Sequence, residues 1–240
     1  AIFAKRNTTR KMRRIELIIT GGSPAGLVIP PGRTMVADPE NIHLPRIVFV
    51  GDSITANTYQ AYAGCGLEET IAQRLRLWER FVTSAQGGTG WNKDNGVALR
   101  WSHPTRITDV VALNPDIVVY IGSQNDATGA PLEAAITSTL TTLQSQLPDT
   151  LFVGIGNIMG DSTTLANSIG SGWSGAPDQS RVRYINNHAP RKWIPSTHVT
   201  DWATQGDANH PHDDALNWFA AMAATSIGNA IVEMVSLSDE

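Results

Sequence analysis

Cysteine is almost missing from this sequence: there is one in 240 residues, Cys65. A single thiol excludes an intramolecular disulfide framework and a cysteine-rich zinc site, and it leaves the compartment open. Charge is scarce as well, at 17% of residues with a net of -4, and the one basic cluster is the run RKMRR at 10–14. Nucleic acid is therefore not expected as a partner. No run of 18 apolar residues occurs, so no membrane-inserted segment is expected. The opening stretch AIFAKRNTTRKMRR lacks an apolar signal core and an initiating Met, which fits a processed product or a piece of something longer. The expectation is a soluble chain, compatible with secretion or with an extracellular or virion assembly.

Two further absences narrow the chemistry. His210, His212, Asp213 and Asp214 crowd together, with His188 and His198 upstream, yet none has a ligand spacing such as His-Glu-x-x-His. No metal and no other cofactor is expected. Nor does Gly-x-Ser-x-Gly, the nucleophile elbow of ordinary α/β-hydrolases, occur anywhere.

What is present changes character at Pro45. Residues 13–36 read as two or three short strands broken by Gly-Gly and Pro-Pro, so residues 1–45 are expected to form a small β extension, the remnant of a longer β domain. From 46 to 240 strands alternate with helices. Continuous apolar runs at 46–50, 116–121 and 151–155, with FVTSA at 81–85 as a further strand, suit a buried parallel sheet. Helices are expected over 67–82, over 131–147 opening on Pro131, and over 213–234. The last carries Leu216, Phe219, Ala220, Ala223, Ile227 and Ile231 on one stripe. This alternation predicts a doubly wound α/β/α domain. Residues 86–104 and 156–177 read as long irregular loops, a length that usually signals function.

Four short blocks stand at the ends of strands or just before the last helix. Gly51-Asp52-Ser53 closes the first strand, where Ser53 is either a helix cap or a nucleophile on the ligand-binding rim of an open sheet. Gly87-Gly88-Thr89-Gly90 is either a flexible turn or a loop whose N–H groups approach a ligand closely. Gly122-Ser123-Gln124-Asn125-Asp126 ends a central strand, and Asn125 can turn an amide donor into the same rim or serve the turn alone. Asp207-Ala208-Asn209-His210 offers a histidine base with a carboxylate three residues before it, or two polar loop residues.

Taken in order, Gly-Asp-Ser-Ile, a loop glycine, Gly-x-x-Asn-Asp and Asp-x-x-His-Pro resemble the four blocks of the SGNH (GDSL-type) hydrolases. The resemblance covers residues 46–235. It implies a flavodoxin-like three-layer α/β/α fold with a central parallel sheet, and metal-independent ester hydrolysis. Carried over, Ser53 is the nucleophile, His210 the base and Asp207 its orienting partner. The oxyanion hole combines the Ser53 N–H, the Gly88 N–H and the Asn125 side chain. Isoleucine stands where many members have the leucine of GDSL, and Ser-Gln fills the third block, both within the family's range.

The tryptophans Trp91, Trp101, Trp173 and Trp202 fall in or near the expected rim loops. Their flat faces suit sugar rings there, the other reading being that they close the core. No long apolar lid over a fatty-acyl tunnel is evident. The expected substrate is a small acyl ester, an acetyl group on a carbohydrate, with the β extension supporting this by analogy with polysaccharide esterases of the family. Short-chain lipid esters or thioesters form the alternative. An inactive carbohydrate-binding module is a third reading, opposed by the presence of every candidate catalytic residue.

Overall fold

Five short apolar runs form one parallel sheet, and their sequence explains its layering. The computed structural model describes residues 45–56, 66–77, 80–122, 124–158, 162–188, 193, 203–204, 207–211 and 213–237. The expected β extension falls outside them, Pro45 apart. Strands β1 (Ile47–Gly51), β2 (Phe81–Ala85), β3 (Ile117–Ile121), β4 (Leu151–Ile155) and β5 (Val182–Ile185) lie in the order β2-β1-β3-β4-β5. Because the chain moves outward from β1 to β2 and then crosses back to β3, the switch point falls between β1 and β3. That is the flavodoxin-like order.

Successive residues of a strand face opposite sides, so each strand supplies two cores. Ile47, Phe49, Ile117, Val119, Ile121, Val153 and Ile155 face α1 (Leu67–Arg74) and α5 (Asp213–Leu237). On the other side, Val48, Val50, Val118, Tyr120 and Phe152 face α2 (Pro104–Ala112), α3 (Ala130–Gln146) and α4 (Thr163–Ser174). The result is three layers. In α5 the expected stripe holds: Leu216, Phe219, Ala220, Ala223 and Ile227 are buried, and Ile231 packs against them. The span Asp214–Met234 is apolar and long enough to cross a membrane by composition, but its apolar face is used by the sheet.

Three expectations change. The helix expected over 67–82 stops at Arg74, where Arg76 turns left-handed at φ 59°, while Phe81–Ala85 forms the edge strand β2 as expected. The loop expected over 156–177 contains α4, capped by Ser162 accepting from the Leu165 N–H at 3.0 Å. Residues 203–204 and 207–211 form a two-stranded ribbon, β6 (Ala203–Thr204) against β7 (Asp207–Pro211), where a loop was expected.

The registers place Gly51, Ala85, Ile121, Ile155 and Ile185 in one row across the sheet. Every chain segment leaving a strand therefore starts from the same rim.

Candidate active site

At that rim, β1 runs into a turn spanning Asp52 to Ala56, closed by the Ala56 N–H donating to the Asp52 carbonyl at 2.8 Å. Asp52 also caps it, since Oδ1 accepts from the Ile54 N–H at 3.0 Å. An aspartate two residues ahead of a free N–H commonly makes this bond. Ser53 is thereby left without a capping duty, and its Oγ lies 2.7 Å from Nε2 of His210. The partners are 157 residues apart in sequence. With the ring's other nitrogen protonated, Nε2 is the acceptor and Ser53 the donor.

Asp207 begins β7 and His210 lies three residues along it. The Asp207 side chain is outside the described residues, as is Trp202.

The loop after β2 is built rather than floppy. Gly90 gives its N–H to the Lys93 carbonyl at 2.9 Å, and Trp101 and Ser102 give theirs to Gly90 and Trp91 at 2.7 and 3.2 Å. Asp126 receives the N–H groups of Trp91 and Asn92 on its two oxygens, both at 2.8 Å. Beneath the loop, the Arg106 guanidinium is 3% exposed and donates to the Gln86 side chain at 2.9 Å, to the Leu99 carbonyl at 3.1 Å and to the Ser84 carbonyl. One buried cation therefore ties together both ends of the loop. Burial pushes its pKa below the usual arginine range, with Tyr120 and Asp109 opposing.

Within this frame Gly88 adopts φ +70°, a conformation that favours glycine, and a Cβ there would stand 3.2 Å from Asn95. The Thr89 N–H reaches the Gln86 carbonyl at 3.4 Å, whereas the Gly88 N–H has no acceptor among the described residues. Asn125 sits beside this loop, its Nδ2 donating to the Thr89 carbonyl at 2.8 Å.

The expectation for Trp91 and Trp173 as substrate-facing residues is overturned. Trp91 is 0% and Trp173 2% exposed, and both pack on Tyr120, at centroid distances of 4.3 and 6.2 Å. Trp101 joins the same cluster, 5.2 Å from Trp91. Their large rings are spent on the core. Three residues that sequence reasoning left without a role, Asp52, Arg106 and Asp126, are the ones that organise the rim.

The Asp52 carboxylate is strongly perturbed. Burial raises its pKa from 3.8 to about 6, against the N–H of Ile54, the charge of His210 and the N–H of Gln124, all of which favour its anion. Asp126 adds a smaller upward push.

No protein-family model and no curated protein matches this sequence. Solved structures do. The acetyl xylan esterase Est2A from the rumen bacterium Butyrivibrio proteoclasticus superposes with a TM-score of 0.58 at 16% identity, over 80% of this chain and 66% of that one. A family two carbohydrate esterase from Cellvibrio japonicus gives 0.57 at 17%, over 80% and 63%. A protein named as a GDSL-like lipase from Parabacteroides merdae gives 0.52 at 17%, over 78% and 99%. The match thus spans just under two thirds of those carbohydrate esterases and nearly the whole of the GDSL-like chain. At such identities the likeness establishes the fold, and it is the fold of the SGNH (GDSL-type) hydrolases.

Proposed function

We propose that this chain is a serine ester hydrolase in which Ser53 is the nucleophile, His210 the general base and Asp207 the group that orients His210. The observation that carries the reading is the 2.7 Å approach of Ser53 Oγ to His210 Nε2 at the carboxyl rim of the sheet. A nucleophile and base within hydrogen-bond reach at a topological switch point is the arrangement acyl transfer needs.

In the first half of the cycle, the Ser53 proton passes to His210 Nε2 as Oγ bonds to the ester carbonyl carbon. The oxyanion is met by the N–H groups of Ser53 and Gly88 and by the Asn125 amide. Collapse breaks the bond to the alcohol oxygen, which leaves with the proton from His210. Water then takes the alcohol's place, and the same proton path releases the acid and restores Ser53. The uncommitted N–H of Gly88 and the position of Asn125 beside Thr89 support this assignment.

For substrate, the reading is a small acyl ester, an acetyl group on a carbohydrate. Its support is the fold shared with an acetyl xylan esterase and with a family two carbohydrate esterase from Clostridium thermocellum that was solved with cellohexaose. A short-chain lipid ester is the second reading, favoured by the near-complete overlap with the GDSL-like lipase chain.

Hydrolysis of p-nitrophenyl acetate against p-nitrophenyl octanoate, by wild type and Ser53→Ala, followed by acetate release from acetylated xylan, separates these. Serine-dependent activity confined to acetate is expected. Preference for octanoate moves the substrate to lipids, and activity that survives Ser53→Ala removes the mechanism.

A further inference from the structure

Next to Ser53 lies a buried carboxylate for which the acyl-transfer scheme has no use. Asp52 is 1% exposed. Its Oδ1 serves Ile54 and the Gln124 N–H also favours its anion, while Oδ2 is buried and makes no close hydrogen bond. That oxygen lies over Gly122, 2.9 Å from the point where a Cβ would stand, and Trp101 closes the same place at 3.4 Å. Gly122 has φ +113°, and a side chain there would meet the carboxylate. The glycine that ends β3 and the aspartate that ends β1 are thus two halves of one contact across the switch point.

A carboxylate is an unfavourable choice for this place. Asparagine or serine can make the same turn bond to Ile54, and burying an anion without a paired cation is destabilising. Strong perturbation in a buried group beside candidate catalytic residues points to function more than to packing. The titratable groups facing Asp52 are His210 from β7 and Asp126 from beyond β3, the first favouring its anion and the second opposing it.

Given the reading of Ser53 and His210 above, on which this rests, we propose that Asp52 is a positioning residue for acyl transfer. Its carboxylate wedges between the ends of β1 and β3 and so fixes Ser53 relative to Asn125, and its negative charge stabilises the imidazolium that His210 becomes when it takes the Ser53 proton. No proton passes through Asp52, so it is a second anion acting on the base alongside Asp207.

The two roles leave distinct marks. Displacement of the nucleophile lowers kcat with little change in KM, because ground-state contacts to the ester are retained. Loss of the anion also makes His210 harder to protonate, so the acid limb of kcat/KM moves to lower pH.

The test is p-nitrophenyl acetate hydrolysis by wild type, Asp52→Asn and Ser53→Ala from about pH 4.5 to 8.5. We expect Asp52→Asn to lose on the order of 10–100-fold in kcat with KM unchanged, and to show an acid limb displaced to lower pH. An Asn variant with wild-type kcat and an unmoved limb overturns the proposal. Should that variant not fold, Asp52→Ser, which keeps the turn bond to Ile54 without the charge, is read in the same way, and wild-type kcat with an unmoved limb overturns the proposal equally. Hydrolysis undiminished in Ser53→Ala is a separate result that removes the serine mechanism itself, and the proposal with it.

Discussion

The side-chain amide of Asn125 donates to the carbonyl of Thr89 at 2.8 Å, tying the turn after β3 to the glycine loop after β2. One amide hydrogen is used in that bond, and in the proposed mechanism the other meets the substrate oxyanion. Asn125→Ala should therefore lower kcat by about 10²–10³ with p-nitrophenyl acetate, the range for a lost oxyanion donor. Near-full kcat in that variant means the amide only braces the loop.

Removing either reacting group should be far more severe. Ser53→Ala and His210→Ala are expected to lose on the order of 10⁴–10⁶ in kcat, and Asp207→Asn on the order of 10²–10⁴. A fluorophosphonate probe should label the wild type and leave Ser53→Ala unlabelled. Labelling that persists identifies another nucleophile.

Asp126 holds two backbone N–H groups with one buried carboxylate. Hydrogen bonds to a charged group contribute about 1.5–3 kcal/mol each, and the orphaned donors add their own penalty. Asp126→Ala is predicted to lose roughly 3–5 kcal/mol of unfolding free energy in urea, with Asp126→Asn less affected because it keeps an acceptor. Equal stability of the alanine variant would show that water replaces the carboxylate at no loss.

For Trp91 and Trp173 the expected phenotype is structural. Each alanine replacement opens a cavity in the cluster around Tyr120 and should lower stability by about 3–5 kcal/mol. Measured below its own melting point, each variant should keep its KM for acetylated xylan. A selective rise in KM at unchanged stability is the opposite result, and it would return these rings to the substrate.

Asp52 also sets a pH dependence of stability. Its folded pKa of about 6 stands above the ordinary aspartate value of 3.8, so between those values the native state holds a proton that the unfolded chain has released. The stability this represents is complete below about pH 4 and lost as pH rises through 6. Relative to wild type, Asp52→Asn should gain on the order of 3 kcal/mol on going from pH 4 to pH 7. Urea midpoints of both proteins at the two pH values measure this difference, and a constant gap would mean that the Asp52 carboxyl is not perturbed.

The legible parts of this fold are those where one local signal suffices. Val48 to Val50, Val118 to Ile121 and Leu151 to Val153 are apolar without interruption because both faces of the central strands are covered. Strand β5 lacks that mark, since Arg183 and Tyr184 of an edge strand stay half-exposed. Helix α4 was hidden by its glycines, of which Gly172 is there for α3 and Gly170 for Tyr184: a Cβ on Gly172 would stand 2.7 Å from the Cβ of Ile136, and Thr137 donates to the Gly172 carbonyl at 2.9 Å. Close helix contact overrides helix propensity at that position.

Within the site, Ser53, Asn125 and His210 were readable because each block carries its chemistry in its own few letters. Arg106 was not, because its meaning lies in joining Ser84, Gln86 and Leu99, segments brought together only by folding. The tryptophans misled for the converse reason. Loop residence says where a backbone runs, whereas ring burial depends on what the sheet leaves open beneath it.

The 157 residues between Ser53 and His210 also carry a lesson about time. Such a separation places the contact among the slowest to form, since most of the intervening chain must be ordered before the two ends can meet. A ribosome making this protein exposes β1 long before β7 exists, and domains of this size pass through partly assembled states. On the proposed mechanism, turnover begins only when β7 brings His210 to Ser53 and α5 docks behind it. Ester hydrolysis would then be a clock for the final act of assembly, silent in every state in which the sheet is finished and α5 is not yet home.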